Sequence, residues 1–319
     1  MTGDDRSRKQ VAVVGAGLIG QSWAIVFARA GWRVRLFDRC EGVRNALPIE
    51  IRSALADLVR FQLCDDPEVV FQRISVFDRL EDALEGAVLV QESLPEQVDI
   101  KREVFEILDR LAPADAILAS STSAIVASRF TEGLAGRHRC LVAHPVNPPH
   151  LVPLVELCPA PWTDKSVVEE ARRIYEAVDQ VAIIVRKEVD GFVLNRLQGA
   201  LLTESLRLVA EGVATPQDID KTVKDGLGLR WSFMGPFETI ELNAPGGIKD
   251  YVERYGPFYA GLAAQAADAS VWQAPSIGIL LASWPEPSEA FLAARKDWRD
   301  SRLAAVVAYR RRAEPPPKR

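Results

Sequence analysis

Residues 11–28, VAVVGAGLIGQSWAIVFA, form an 18-residue run without a single charge, and what that run folds into constrains the whole chain. By length alone it reaches the threshold for a membrane-spanning helix. Three glycines, a Gln and a Ser interrupt it, and its hydrophobic pattern changes at Gly15 from a continuous strand-like block to a helical one. The run therefore reads as a strand that turns through Gly15-Ala16-Gly17-Leu18-Ile19-Gly20 into a helix reaching about Ala30. In that context GxGxxG is a phosphate cradle. The first Gly permits the tight turn, the second lets a pyrophosphate approach the backbone, and the third lets the helix lie close on the strand. The helix start at Leu18 and Ile19 supplies N–H groups and the positive end of a dipole. The next strand candidate ends at Asp38, 23 residues after Gly15, near the position expected of an acid that binds ribose hydroxyls. Its charge opposes the extra phosphate of NADP, so NAD is the expected cofactor, with neighbouring Arg39 the residue that would accommodate that phosphate instead.

From residue 10 to about 187, short β-rich blocks alternate with helical stretches: VAVVG (11–15), RVRLFD (33–38), ISVF (74–77), AVLVQE (87–92), AILASS (116–121), RCLVAH (139–144) and VAIIVR (181–186). Several are apolar on both faces, as strands of a parallel sheet covered by helices on each side should be. The expected fold class is α/β, a Rossmann-type doubly wound sheet followed by an all-α domain. After Lys187 the strand signal stops, and residues 191–212 carry Leu194, Leu197, Leu201 and Leu208 at helical spacing. A further helix opens at Thr215-Pro216-Gln217-Asp218, with Thr as N-cap, Pro in the first turn and an acid at the positive helix end. The boundary falls near 187–190, giving an NAD-binding domain over 1–187 and a helical domain over 188–319 that holds the substrate cleft and the dimer contact. The basic, Pro-rich stretch 310–319 is expected to be frayed and without chemistry.

Composition narrows the function classes. A chain of 319 residues, 48% hydrophobic and 26% charged, is an ordinary globular protein of two domains. With 39 Lys and Arg against 44 Asp and Glu the net charge is −5, which supplies no field for nucleic acid or an anionic membrane. Cys40, Cys64, Cys140 and Cys158 are far apart and form no zinc spacing, so no metal is expected and a reducing cytoplasm fits. The leader MTGDDRSRKQ is polar and of mixed charge, unlike a signal or transit peptide.

The three histidines are His138, His144 and His150. His144 ends a strand candidate within LVAHPVNPPHLVPLVELCP (141–159), where open α/β sheets place ligands. Glu156 lies 12 residues on, in an apolar run where a charge needs a partner. A His–Glu pair makes a tuned base, because the carboxylate holds one ring nitrogen protonated and stabilises the imidazolium formed when the other takes a proton. A structural histidine and a lone ion pair are the alternative.

Over nearly all its length the chain resembles the 3-hydroxyacyl-CoA dehydrogenase superfamily, and within it the λ-crystallin and L-gulonate 3-dehydrogenase branch. The matching stretches are VAVVGAGLIGQSWA, VQESLPEQVDIKREVF, SSTSAI, AHPVNPPHLVPLVEL, DGFVLNRLQ, ATPQDID, GLGLRWSFMGPFETIELNAPGG and the terminal ARKDWRDSRLAAV. The resemblance implies that His144 is the general base and Glu156 its orienting partner. It implies that Ser123 and Asn195 hydrogen-bond the reacting oxygen and that Asn147 helps position nicotinamide and substrate. Glu96 and Lys101 match a pair that contacts the cofactor near the nicotinamide ribose; without the match they would read as a helix-surface ion pair. The implied reaction is NAD-dependent oxidation of a 3-hydroxy acid, in a cleft between the two domains.

Relatives that use CoA carry a basic segment after the second strand. Here residues 41–100 contain no lysine and CDDPEVVFQ (64–72) is acidic, so a small free acid is favoured over a thioester, although Arg44, Arg52, Arg60 and Arg73 remain. Arg230 is the candidate cation for the substrate carboxylate. Trp231 reads as a pocket wall or as core, and an aromatic pocket for a quaternary ammonium would make carnitine a substrate. His150 reads as lining the entrance or as exposed. The competing classes are a crystallin-like structural protein and an NAD-binding regulator, both of which predict damage to Ser123, His144, Glu156 or Asn195. Apolar helices beyond residue 191 point to a homodimer.

Overall fold

The computed structural model describes residues 9–273, 276–284 and 286–313. It contains one eight-stranded sheet in the order β3-β2-β1-β4-β5-β6-β7-β8, formed by β1 (Gln10–Val14), β2 (Arg33–Phe37), β3 (Ile74–Phe77), β4 (Leu89–Glu92), β5 (Ile117–Ser120), β6 (Cys140–Pro145), β7 (Leu154–Pro159) and β8 (Val181–Ile184). Neighbours are parallel except β6 and β7. Helices of 12 residues or more are α1 (Leu18–Arg29), α2 (Glu41–Arg60), α3 (Val98–Leu111), α4 (Lys165–Ala177), α5 (Leu194–Ala210), α6 (Gly247–Ala263) and α7 (Glu289–Arg312).

The central strands β4, β5 and β6 are buried throughout, which is why they read as unbroken apolar blocks rather than as alternating patterns. The period of two still sorts their side chains. Val11 and Val13 enter a core shared with α1, α2 and α4, whereas Ala12 and Val14 enter a second core with Val104, Phe105 and Leu108 of α3. The strand order reverses between β1 and β4, the switch point at which such sheets open a ligand crevice.

Seven strands match the blocks seen in the sequence. The eighth, β7, lies in VPLVELC, a run noted only for its buried charge. It pairs antiparallel with β6, and the register sets His144 directly opposite Glu156.

The chain divides into two compact units, one ending at Asn195 but resuming at Ala294, the other spanning Arg196–Ala293. This differs from a helical domain running unbroken to 319. Ala304 and Ala308 of α7 are buried in the first unit's core, with Leu303 and Val307 packed against it. Nor is the start of the 310–319 stretch frayed: Arg311 pairs with Asp179 at 3.5 Å and Arg312 donates to Gln62 at 2.5 Å, while residues 314–319 and the leader up to residue 8 lie outside the described residues. Within the second unit, Thr215 caps the helix Pro216–Lys221, its Oγ1 accepting from the Asp218 N–H at 3.2 Å. Among the described residues no helix is long and apolar enough to cross a membrane.

Candidate active site

The glycine turn follows β1 at the switch point, and each glycine meets a different demand. Gly15 has φ +96°, and a Cβ there would lie 2.7 Å from the Ser93 carbonyl oxygen, so both conformation and space require glycine. A Cβ on Gly20 would lie 1.8 Å from the Gly15 carbonyl oxygen, which fixes how closely α1 approaches the turn. Around Gly17 no protein atom comes within 4 Å of such a Cβ, so this glycine faces open space where a phosphate can meet the backbone. Asp38 is held beside the turn. Its Oδ2 accepts from the Ala16 N–H at 2.9 Å and its Oδ1 from the Cys40 N–H at 2.8 Å. Each oxygen keeps a lone pair for a hydroxyl, and Arg39 is exposed. The donor set fits a dinucleotide with free ribose hydroxyls.

At the ends of β4 and β5 lies a charged network that the sequence revealed only in part. Lys101 is 1% exposed and its ammonium sits 3.0 and 3.1 Å from the two oxygens of Glu92, which is wholly buried. Glu96, expected as its partner, is 3.9 Å away. Glu92 also accepts from the Ser120 hydroxyl and the Leu94 N–H. Glu96 turns to the SSTSAI loop, where one of its oxygens accepts from the Thr122 hydroxyl and from the Ser123 and Ala124 N–H groups, both at 3.0 Å. Lys101 is thus the counter-ion of a buried acid, and Glu96 is the residue that shapes the loop.

The His–Glu pair forms. His144 Nδ1 lies 2.7 Å from Glu156 Oε2, with His144 5% exposed and Glu156 fully buried. The other Glu156 oxygen accepts from the Val193 and Leu194 N–H groups, each at 2.9 Å, so the carboxylate ties the β6–β7 pair to the start of α5. Burial alone would raise the pKa of Glu156, but the hydrogen bonds from His144, Leu194 and Val193 outweigh it and hold that pKa below the usual carboxylate value. Phe192, also fully buried, packs on the imidazole with ring centroids 5.5 Å apart and holds φ +49°. For a bulky residue that is a strained conformation, and it directs the two N–H groups that follow.

Asn195, in the first turn of α5, donates from Nδ2 to the Ser123 carbonyl oxygen at 2.8 Å. The structure therefore brings Ser123, Asn195 and Glu96 together, and links Asn195 to the His–Glu pair through the neighbouring Leu194 amide. Asn147 is exposed three residues beyond His144 and borders a cavity of about 500 Å³ that is also lined by Leu18, Gln21, His150, Lys296 and Arg299. His150 bonds to the Ser22 hydroxyl at 3.0 Å, and burial, then nearby Arg29, push its pKa down to about 4. His138 is exposed, as are Arg230 and Trp231 of the second unit. Sequence reasoning missed Glu92, hidden at the end of an apolar block, and Phe192, whose only signal was the preceding Gly191.

A glycine cradle at the switch point, with an acid fixed beside it, defines a dinucleotide-binding protein of the Rossmann class. Comparison with known proteins gives the family. Residues 10–189 match the model described as 3-hydroxyacyl-CoA dehydrogenase, NAD binding domain, and residues 191–275 the model of the C-terminal domain; the chain belongs to the 3-hydroxyacyl-CoA dehydrogenase family. It is 42% identical to a lambda-crystallin homolog of Bos taurus, covering 93% of this chain and 94% of the relative. It is 37% identical to an L-carnitine dehydrogenase of Streptomyces coelicolor, covering 87% and 88%. Among solved structures, an NAD+-dependent 5-formyl-3-hydroxy-2-methylpyridine 4-carboxylic acid 5-dehydrogenase superposes with a TM-score of 0.83 at 25% identity, over 96% of this chain and 99% of the other.

Proposed function

We propose that the protein oxidises the hydroxyl of a small free 3-hydroxy acid of the L-gulonate kind to the 3-oxo acid, with His144 as general base. The observation that carries this is the His144–Glu156 contact at 2.7 Å. With Nδ1–H committed to the carboxylate, Nε2 is the ring nitrogen left to take the hydroxyl proton, and the carboxylate stabilises the imidazolium that results. Ser123 and Asn195 orient the reacting oxygen; Glu96 and the Asn195–Ser123 bond hold them in place. NAD, held by residues 15–20 and Asp38, supplies the hydride acceptor.

The free-acid reading gains support from the arginines that might have met a polyphosphate. Arg44 donates to the Asp38 carbonyl oxygen at 2.8 Å and Arg73 to that of Ala28 at 3.0 Å. Arg52 pairs with Glu68 at 3.4 Å and stacks 3.7 Å from the Phe71 ring centre, and Arg60 stacks on Phe61. All four make contacts within the protein, Arg52 with a carboxylate. Arg230 is assigned to the substrate carboxylate. The test is NADH formation with L-gulonate, free L-3-hydroxybutyrate, L-carnitine and L-3-hydroxybutyryl-CoA, with His144→Ala as control. Turnover of a free acid that disappears in the variant is expected. Turnover of the thioester alone would overturn the substrate class, and binding of NAD without turnover would overturn the catalytic reading in favour of a binding or structural role.

The partner proposed for the helical unit is a second copy of the chain. Within Arg196–Ala293 the described apolar side chains that reach burial are Leu206, Val209, Pro216, Ala244 and Val271, whereas Phe237 is 74%, Leu242 72% and Phe233 64% exposed. A unit with so little core of its own needs a partner present whenever the chain is, and another copy meets that condition. Light scattering at micromolar concentration should give twice 35.2 kDa; a mass of one chain would refute the dimer.

A further inference from the structure

Glu92, Lys101 and Glu96 place two carboxylates against one ammonium at the C-terminal ends of β4 and β5, where the cofactor crevice opens. Glu92 and Lys101 are buried, and the Lys101 ammonium lies 3.0 Å from Glu92 and 3.9 Å from Glu96. Two carboxylates and one ammonium give the set a formal charge of −1. Glu92 and Lys101 cancel one another, so the unbalanced charge falls on Glu96, whose side chain is 41% exposed and faces the Ser123 loop. Glu96 in turn holds the Ser123 N–H at 3.0 Å and lies 3.5 Å from the Ser123 hydroxyl. On the proposed function, on which this inference rests, Ser123 touches the oxygen of the carbon that gives up hydride, so the nicotinamide ring must come close to this loop. That ring carries a positive charge when oxidised and none when reduced.

We propose that Glu92, Lys101 and Glu96 act together as a redox-state selector, a net negative set that favours binding of NAD+ over NADH and so eases release of the reduced product. Glu92 is then a specificity-determining residue that works through Lys101 and Glu96 without touching the cofactor. A counter-ion pair kept for folding alone would respond to lost contacts, whereas a selector responds to net charge.

Charge rescue separates the two. The dissociation constants of NAD+ and NADH are measured by calorimetry on the full chain, for the wild type, Glu92→Gln and Glu92→Gln/Lys101→Met. Glu92→Gln takes the set to neutral and should raise the Kd(NAD+)/Kd(NADH) ratio about tenfold over wild type. The double variant returns the set to −1 and should bring the ratio back to within about twofold of wild type. Glu96→Gln, at an exposed position, neutralises the same set and should shift the ratio in the same direction even if Glu92→Gln does not fold. An unchanged ratio in the neutralised variants overturns the proposal, and so does a double variant further from wild type than Glu92→Gln. A wild type that binds neither cofactor overturns the dehydrogenase reading itself.

Discussion

Glu156→Gln should lower kcat by about 10²–10⁴-fold, the range a general base contributes, although it removes no atom that touches substrate. The reason is the tautomer. One carboxylate oxygen accepts from the Val193 and Leu194 N–H groups, and the other faces His144 Nδ1. In the variant the amide oxygen must stay with the two backbone donors, so the NH2 group faces the imidazole. It then donates to Nδ1 and moves the ring proton to Nε2, the nitrogen that has to accept one. KM should change little if Ser123 and Asn195 still hold the substrate. The variant should also lose stability at neutral pH, by about 1–3 kcal/mol for a buried hydrogen-bonding group made to fit badly.

The pH dependence of that loss follows from the lowered pKa of Glu156. A carboxyl whose folded value lies below its unfolded value contributes stability that is present above the unfolded value, roughly pH 4, and is lost as pH falls through the folded one. The gap in melting temperature between wild type and Glu156→Gln should be full at pH 7 and narrow below about pH 4. An unchanged kcat, or a gap that widens in acid, would refute the role assigned to the pair.

How much of this was legible in the sequence depended on whether the signal was local. The glycine turn, Asp38 and the central strands were legible because a tight turn and a strand buried on both faces leave their marks within a few residues. The pairing of His144 with Glu156 was read as a need, a charge in an apolar run, but the strand that satisfies it was not. Glu156 itself breaks the apolar block, and β7 gains its hydrogen bonds from β6 and β8, a tertiary event. Glu96 and Lys101, five apart, looked like a helix-surface pair. Only the packing of α3 on the sheet shows that Lys101 points inward to Glu92. The strain at Phe192 leaves no mark in the sequence, because a bulky residue at positive φ is held there by burial and by the contacts around it.

The return of the last helix was the least legible feature, and it leads to the second large effect. Between residues 295 and 302, α7 reads Arg-Lys-Asp-Trp-Arg-Asp-Ser-Arg, a pattern that suggests a solvated face rather than a docking one. Its buried residues are two alanines, Ala304 and Ala308, seated in the cluster that also holds Trp23, Phe27, Leu55 and Tyr175. Small side chains give little hydrophobic signal, yet these two are buried in that cluster, and Leu303 and Val307 pack against it. Ending the chain at residue 293 should therefore unfold the nucleotide-binding unit or lower its melting temperature by 10 °C or more, as expected for the loss of about 3–5 kcal/mol of burial. Ala304→Asp makes the same case within the intact chain. It forces a carboxylate into a position that is 1% exposed, and should cost about 3 kcal/mol or more. Both variants leave the glycine turn and Asp38 untouched, so a loss of NAD binding in calorimetry that tracks the loss of melting temperature would show α7 to be part of the cofactor unit's core. Equal melting temperatures for the full and shortened chains would make α7 an appendage and return the domain boundary to a single point near residue 190.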